Sequence, residues 1–213
     1  MSFHTATYLV GIGIDDAGET ITHAVIKRNL GPHAGPWPGG AVVALERERA
    51  GADLAVPIDR YYRRLDRGDE WDRDAAFVFD CSSYVHGRAL MEAWPRSRVG
   101  RMKLPAEFLL VSQDENRSRV RGIGRIPWQQ LLECVSLLRR KDLFKVAPVP
   151  LAVEFEQQLQ AARQRPLRAD QTGYEGTDLL RTATLPAFRA VIGSASVGRV
   201  LPVKWAETTG GAA

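Results

Sequence analysis

The sequence predicts an α/β protein built on one mixed sheet with flanking helices, and three observations carry that reading. Two strand-like apolar runs, Tyr8 to Asp15 and Thr20 to Arg28, follow one another across a short turn. Further strand-like runs then alternate with segments whose apolar residues recur every three or four positions. The first run and the later run Ala75 to Phe79 each finish on a carboxylate, Asp15 and Asp80. A chain that opens on paired strands and then alternates strand with helix builds a mixed sheet covered by helices.

Taken in order, Asp16-Ala17-Gly18-Glu19 forms the first turn, because Asp and Gly tolerate unusual backbone angles. Residues 31–40 hold Pro and Gly at close intervals and predict a loop, after which Ala41 to Glu46 predicts a third strand. Asp53 to Leu65 has the spacing of an amphipathic helix, with Pro57 in its first turn and an Arg-rich outer face. The charged stretch Asp66 to Asp74 leads to the strand that ends at Asp80, and Val85 to Trp94 predicts a helix. Phe108 to Ser112 and Val120 to Ile126 bracket the polar run 114–117 and predict a hairpin. Pro127 then opens a strong helix from Trp128 to Arg140, which ends in a basic turn suited to the helix dipole. A short strand at 143–146, a helix from Leu151 to Ala162 and a last helix from Thr177 to Val191 interrupted by Pro186 complete the domain. One domain over residues 1–206 and a flexible tail at 207–213 is the expected organisation.

Composition narrows the class. The chain has 213 residues and a net charge of only +4, with arginine far outnumbering lysine, which is weak evidence for a polyanionic partner. Cys81 and Cys134 stand far apart with no metal-ligand spacing, so neither a zinc site nor a disulfide framework is indicated. No apolar run approaches the roughly 20 residues that span a bilayer, and no leader pattern opens the chain, so a cytoplasmic protein without a membrane partner is expected. No Gly-rich loop ending in Lys-Ser or Lys-Thr occurs, which excludes a P-loop motor within these residues.

Two divalent metals about 4 Å apart activate water and stabilise a leaving oxygen in phosphodiester cleavage, and they need carboxylates converging from separate elements. Hard cations take oxygen ligands, so Asp and Glu suffice. Asp15 and Asp80 become neighbours if their strands pair, and Asp178 at the head of the last helix is the best placed third acid. The bland alternatives are a turn residue at Asp15 and helix caps at Asp80 and Asp178, although Ser82, Ser83 and Thr177 can cap instead. Glu19 and Glu175 read as solvated, His23 as structural and His86 as a weak site contact.

Gly13-Ile14-Asp15-Asp16-Ala17-Gly18-Glu19-Thr20, running on to Ile26, resembles the first motif of the ribonuclease H-like nucleases, among them Holliday-junction resolvases and phage terminase nuclease domains. Phe77-Val78-Phe79-Asp80-Cys81-Ser82-Ser83 looks like the terminase segment in which a strand ends in Asp before small residues. The order from Ile126 to Arg140, Lys145 to Pro148, Leu151 to Ala162 and Gly176-Thr177-Asp178 is similar to the helix, strand, helix, helix run of those terminase domains. An alternative register places Gly13 at the first catalytic position, and Thr177 stands where one of a final acidic pair is expected.

This resemblance implies a ribonuclease H-like mixed sheet and a metal-dependent DNA endonuclease without an ATPase motor. It would be a two-metal hydrolase using Mg²⁺ or Mn²⁺, with Asp15, Asp80 and Asp178 as catalytic groups and metal ligands. DNA is the implied substrate, and other phage packaging proteins are the implied partners. The reduced acidic pair leaves open a second reading, a catalytically degenerate ribonuclease H-like module that binds nucleic acid or a phage protein. For phosphate contact the candidates are Arg98, Arg101 and Lys103 before the central strands and Arg117, Arg119, Arg121 and Arg125 within them, the alternative being a charged, solvated edge strand.

Overall fold

In a computed structural model, described here for residues 6–29, 39–59, 74–81, 84–112, 124–164 and 176–192, the chain forms a seven-stranded mixed sheet with helices on both faces. The strands are β1 (Tyr8–Ile14), β2 (Thr20–Arg28), β3 (Gly40–Arg49), β4 (Ala75–Asp80), β5 (Ala106–Ser112), β6 (Gly124–Pro127) and β7 (Phe144–Val146). They lie in the order β6-β5-β4-β1-β2-β3-β7. β1 and β2, and β2 and β3, are antiparallel, whereas β4 runs parallel to β1, β5 to β4, β6 to β5 and β7 to β3. The helices are α1 (Tyr84–Ala93), α2 (Arg98–Arg101), α3 (Trp128–Arg140), α4 (Ala152–Gln164) and α5 (Asp178–Ile192), with a helical segment at residues 55–59.

Alternation along the central strands creates the two layers. Every residue of β1 and β4 is buried, as strands covered on both faces must be. Leu9, Ala76 and Val78 face a core shared with Leu131 and Val135 of α3, Phe155 of α4 and Leu180 and Phe188 of α5. Val10, Ile12, Phe77 and Phe79 face a second core with Ile58, Leu90 and Val99. There the Trp94 ring packs against both phenylalanines, tilted to Phe77 and edge-on to Phe79. The apolar spacing of the sequence is thus the packing plan of both faces.

Helix α5 lies closest to the sheet. Pro186 was expected to interrupt it, yet the helix continues through that residue. Proline has no N–H to return to the carbonyl four residues earlier. That carbonyl, of Thr182, points instead at Gly11 of β1, where an added Cβ would lie only 1.9 Å from its oxygen. A glycine on the strand and a proline in the helix are therefore two halves of one close approach.

The expected hairpin between residues 108 and 126 is corrected by the structure, since β5 and β6 are parallel and a parallel pair needs a crossover rather than a tight turn. The apolar runs were the right length for strands, but periodicity carries no information about direction. The loop at 31–38, the helix beyond residue 59, Ser82, Ser83, the run 114–117, Arg117, Arg119, Arg121, Glu175 and the tail at 207–213 lie outside the described residues. Among the described residues no helix is long and apolar enough to cross a membrane.

Candidate functional site

One row across the sheet positions the site. Register pairs Arg47 of β3 with Thr22 of β2 and Thr22 with Gly13 of β1. Parallel pairing of β1 with β4, which sets Ile12 beside Phe79, brings Gly13 beside Asp80 at the next step. A Cβ on Gly13 would lie 3.3 Å from the Cβ of Asp80. Arg47, Thr22, Gly13 and Asp80 thus stand side by side, and the first turns of α5 lie over them with Asp178, Arg181 and Thr182.

The helix answers each end of this row with the opposite charge. Arg181, with a side chain only 1% exposed, donates from Nε to Asp80 Oδ2 at 2.8 Å. Its Nη2 reaches Asp16 Oδ1 at 3.3 Å and its Nη1 reaches Thr177 Oγ1 at 2.9 Å, so all three guanidinium nitrogens are engaged. At the other end, Asp178 Oδ2 accepts from Arg47 Nη2 at 2.8 Å and from Thr22 Oγ1 at 2.9 Å, while Oδ1 accepts from Gln158 Nε2 at 3.2 Å. Arg47 also pairs with Glu154 of α4 at 2.8 Å.

Between the two clusters Gly13 contributes no side chain. Thr182 fills the place, its Oγ1 lying 2.4 Å from where a Cβ of Gly13 would sit. That hydroxyl is buried and has no hydrogen-bond partner. Gly13 is therefore the β1 residue in line with Asp80, and that position carries no side chain.

Asp15 is placed in the turn. Its Oδ1 accepts from the amides of Glu19 at 2.8 Å and Thr20 at 3.1 Å, and its Oδ2 from the Thr20 hydroxyl at 2.9 Å. Burial works to raise its pKa, but the hydrogen bonds from Thr20, Glu19 and Gly18 outweigh that and hold it below the ordinary value. For Asp16, burial dominates over the attraction of Arg181, and with repulsion from Asp80 and Asp178 its pKa is raised. Burial works against the charge of Arg181, yet Asp80, Asp16 and Asp178 together more than offset it, so its pKa is raised. The same balance, with Glu154 and Asp178 as partners, raises the pKa of Arg47.

An open cleft of about 870 Å³ leads to this centre, with Asp15, Asp16, Thr20, Arg47, Glu154 and Asp178 on its walls. Of the predicted acids, Asp80 lies under α5 and Asp178 heads that helix, Asp15 lies on the cleft wall, and Asp16 rather than Asp15 turns toward Arg181. Arg98, Arg101 and Lys103 are exposed. They directly precede β5, which enters the sheet at Ala106 opposite Phe77, so they stand at the far end of β4 from Asp80. Arg125 lies on edge strand β6.

Arg181, Arg47, Thr22, Gln158 and Glu154 did not emerge from the sequence as site residues. One signal was present, because an arginine between Leu180 and Thr182 in a largely apolar helix has to be paired if it is buried. His86 stands against the turn, with Nε2 only 2.7 Å from where a Cβ of Gly18 would lie. Both thiols are buried and offer no nucleophile: desolvation pushes Cys134 up to about 12 and raises Cys81 as well.

Divalent metals take carboxylate oxygens at about 2.0–2.6 Å. Here the Arg181 guanidinium occupies that approach to Asp80, and Arg47 with Thr22 and Gln158 occupies Asp178. Among the described residues no group of three or more His, Cys, Asp or Glu is arranged to hold a metal ion. As they stand, Asp80 and Asp178 do not fit a two-metal centre.

No protein-family model and no curated protein matches the chain. Solved structures do match it, among them the human cytomegalovirus terminase nuclease domain, determined after a manganese soak. That similarity has a TM-score of 0.48 at 11% identity, covering 86% of this chain and 83% of that one. The mixed sheet flanked by helices agrees with the α/β fold class that the sequence predicted.

Proposed function

We propose that this chain is a nuclease-like module that binds nucleic acid and does not cut it with metal ions. The observation that carries the reading is the buried ion pair of Arg181 with Asp80. An internal cation sits where a nuclease of this architecture needs an external one, and Gly13 beside Asp80 carries no side chain to add a ligand. A divalent ion would have to displace the guanidinium that forms the ion pair with buried Asp80, and breaking a buried pair in this way is strongly disfavoured.

Nucleic acid is the favoured partner because the net charge is +4 and Arg98, Arg101 and Lys103 form an exposed basic group away from the acidic cleft. Phosphates would meet Asp15, Asp16 and Glu154 in the cleft itself, so contact at the basic group involves less repulsion. Binding of this kind releases counterions and weakens steeply as salt rises.

A second reading is a metal-dependent DNA endonuclease using Mg²⁺ or Mn²⁺, and it is favoured by Asp16 and Asp178 on one cleft with Asp80 joined to Asp16 through Arg181. A plasmid-cleavage assay in both metals, run beside a salt titration of duplex binding, separates the two. The module reading expects salt-sensitive binding with no nicking. Nicking that requires metal and disappears in Asp80→Asn would replace it with the endonuclease reading.

A further inference from the structure

We infer that Arg181 is a built-in substitute for a divalent cation, and that removing its side chain opens a Mg²⁺ or Mn²⁺ site formed by Asp80, Asp16 and Thr177. The inference rests on the proposed function above and assigns a role to the group that blocks the chemistry.

The guanidinium gathers three oxygens, Asp80 Oδ2, Asp16 Oδ1 and Thr177 Oγ1, and these come from β4, the β1–β2 turn and the residue before α5. Each is a hard oxygen donor, and two carboxylates with a hydroxyl and water is a ligand set that small divalent cations accept. Arg181 is the cation that joins these three segments. Without it, Asp80 and Asp16 lose the cation that they share, while Asp178 a turn away keeps Arg47 as its own partner.

A second observation lies on the other side of the same space. Thr182 Oγ1 is buried, has no hydrogen-bond partner and lies beside Gly13, on the side of the sheet that carries Asp80. The pocket around Arg181 thus holds an additional oxygen that the guanidinium leaves unused. Truncation at position 181 exposes this oxygen, with the others, to a bound ion or its water.

The wild-type fold follows as metal-independent, because its acid centre carries its own positive charge. A lysine retains that charge, so Arg181→Lys stays indifferent to metal, whereas Arg181→Ala becomes metal-responsive.

The test is thermal unfolding of the full chain with EDTA and with Mn²⁺, for wild type, Arg181→Lys, Arg181→Ala and the double variant Arg181→Ala/Asp80→Asn. The expected result is an upward shift of the Arg181→Ala midpoint in Mn²⁺ and none in the other three. If Arg181→Ala does not fold in EDTA, refolding into Mn²⁺ recovers it but not the double variant. Failure of Mn²⁺ to raise the midpoint or the refolded yield of Arg181→Ala overturns the inference, as does an equal response in the double variant. Metal-dependent plasmid nicking by wild type would instead overturn the proposed function, so the two failures are read in different assays.

Discussion

The two ends of the row that crosses the sheet use the same chemistry in opposite orientation. On β4 the strand supplies the acid, Asp80, and α5 supplies the cation, Arg181; on β3 the strand supplies the cation, Arg47, and α5 supplies the acid, Asp178. What differs is water. Arg181 and Asp80 are each 1% exposed, whereas Arg47 is 28% exposed and its second partner Glu154 is 39% exposed. The inner pair has lost its hydration on both sides, while in the outer pair Arg47 keeps contact with water although Asp178, 8% exposed, is buried. One helix, in consecutive turns, thus carries a locked contact and an adjustable one.

The sharpest way to break this comparison is to remove each cation in turn. Arg181→Met keeps the apolar stem but removes the ion-pair partner of buried Asp80, and chemical denaturation should show a loss of about 3–5 kcal/mol. Equal losses at Arg181 and Arg47 would end the distinction. Next comes the glycine seam that lets α5 approach. Gly11→Ala drives a Cβ into the Thr182 carbonyl, and overpacking of this kind costs about 1–3 kcal/mol or more in the same experiment. Arg47→Ala should cost less than Arg181→Met, because Asp178 keeps Thr22 and Gln158 as donors, and the loss should shrink as salt is added, which a denaturation series at rising ionic strength would reveal.

The smallest effects belong to the two acids of the turn, and they have opposite signs. Asp15 has a folded pKa below its ordinary 3.8, so its contribution is present above that value and is lost as pH falls through the folded pKa. Asp16 has a raised folded pKa, so its ionisation works against folding once pH has risen through the folded pKa. At neutral pH, Asp15→Asn should therefore lower the thermal midpoint and Asp16→Asn should leave it unchanged or raise it slightly. A pH series of midpoints for both variants and wild type checks the two signs together.

Much of this architecture was legible because burial leaves a period in the sequence. The fully buried β1 and β4 are uninterrupted apolar runs, and α3 shows its inward face at three- and four-residue spacing. Strand direction was not legible, so the parallel β5 and β6 read as a hairpin. The acids were located by their positions at strand and helix ends, but their partners were not. Arg47 and Asp178 are 131 residues apart and meet only through sheet register. That Gly13 rather than Asp15 lies beside Asp80 is likewise set by the pairing of β1 with β4 rather than by any local motif.

The most direct measurement is anomalous diffraction at the manganese edge from wild-type crystals soaked in Mn²⁺. The account predicts no manganese between Asp80 and Asp178, with the Arg181 guanidinium still hydrogen-bonded to Asp80. A manganese peak held by Asp80 with Arg181 swung away would contradict it.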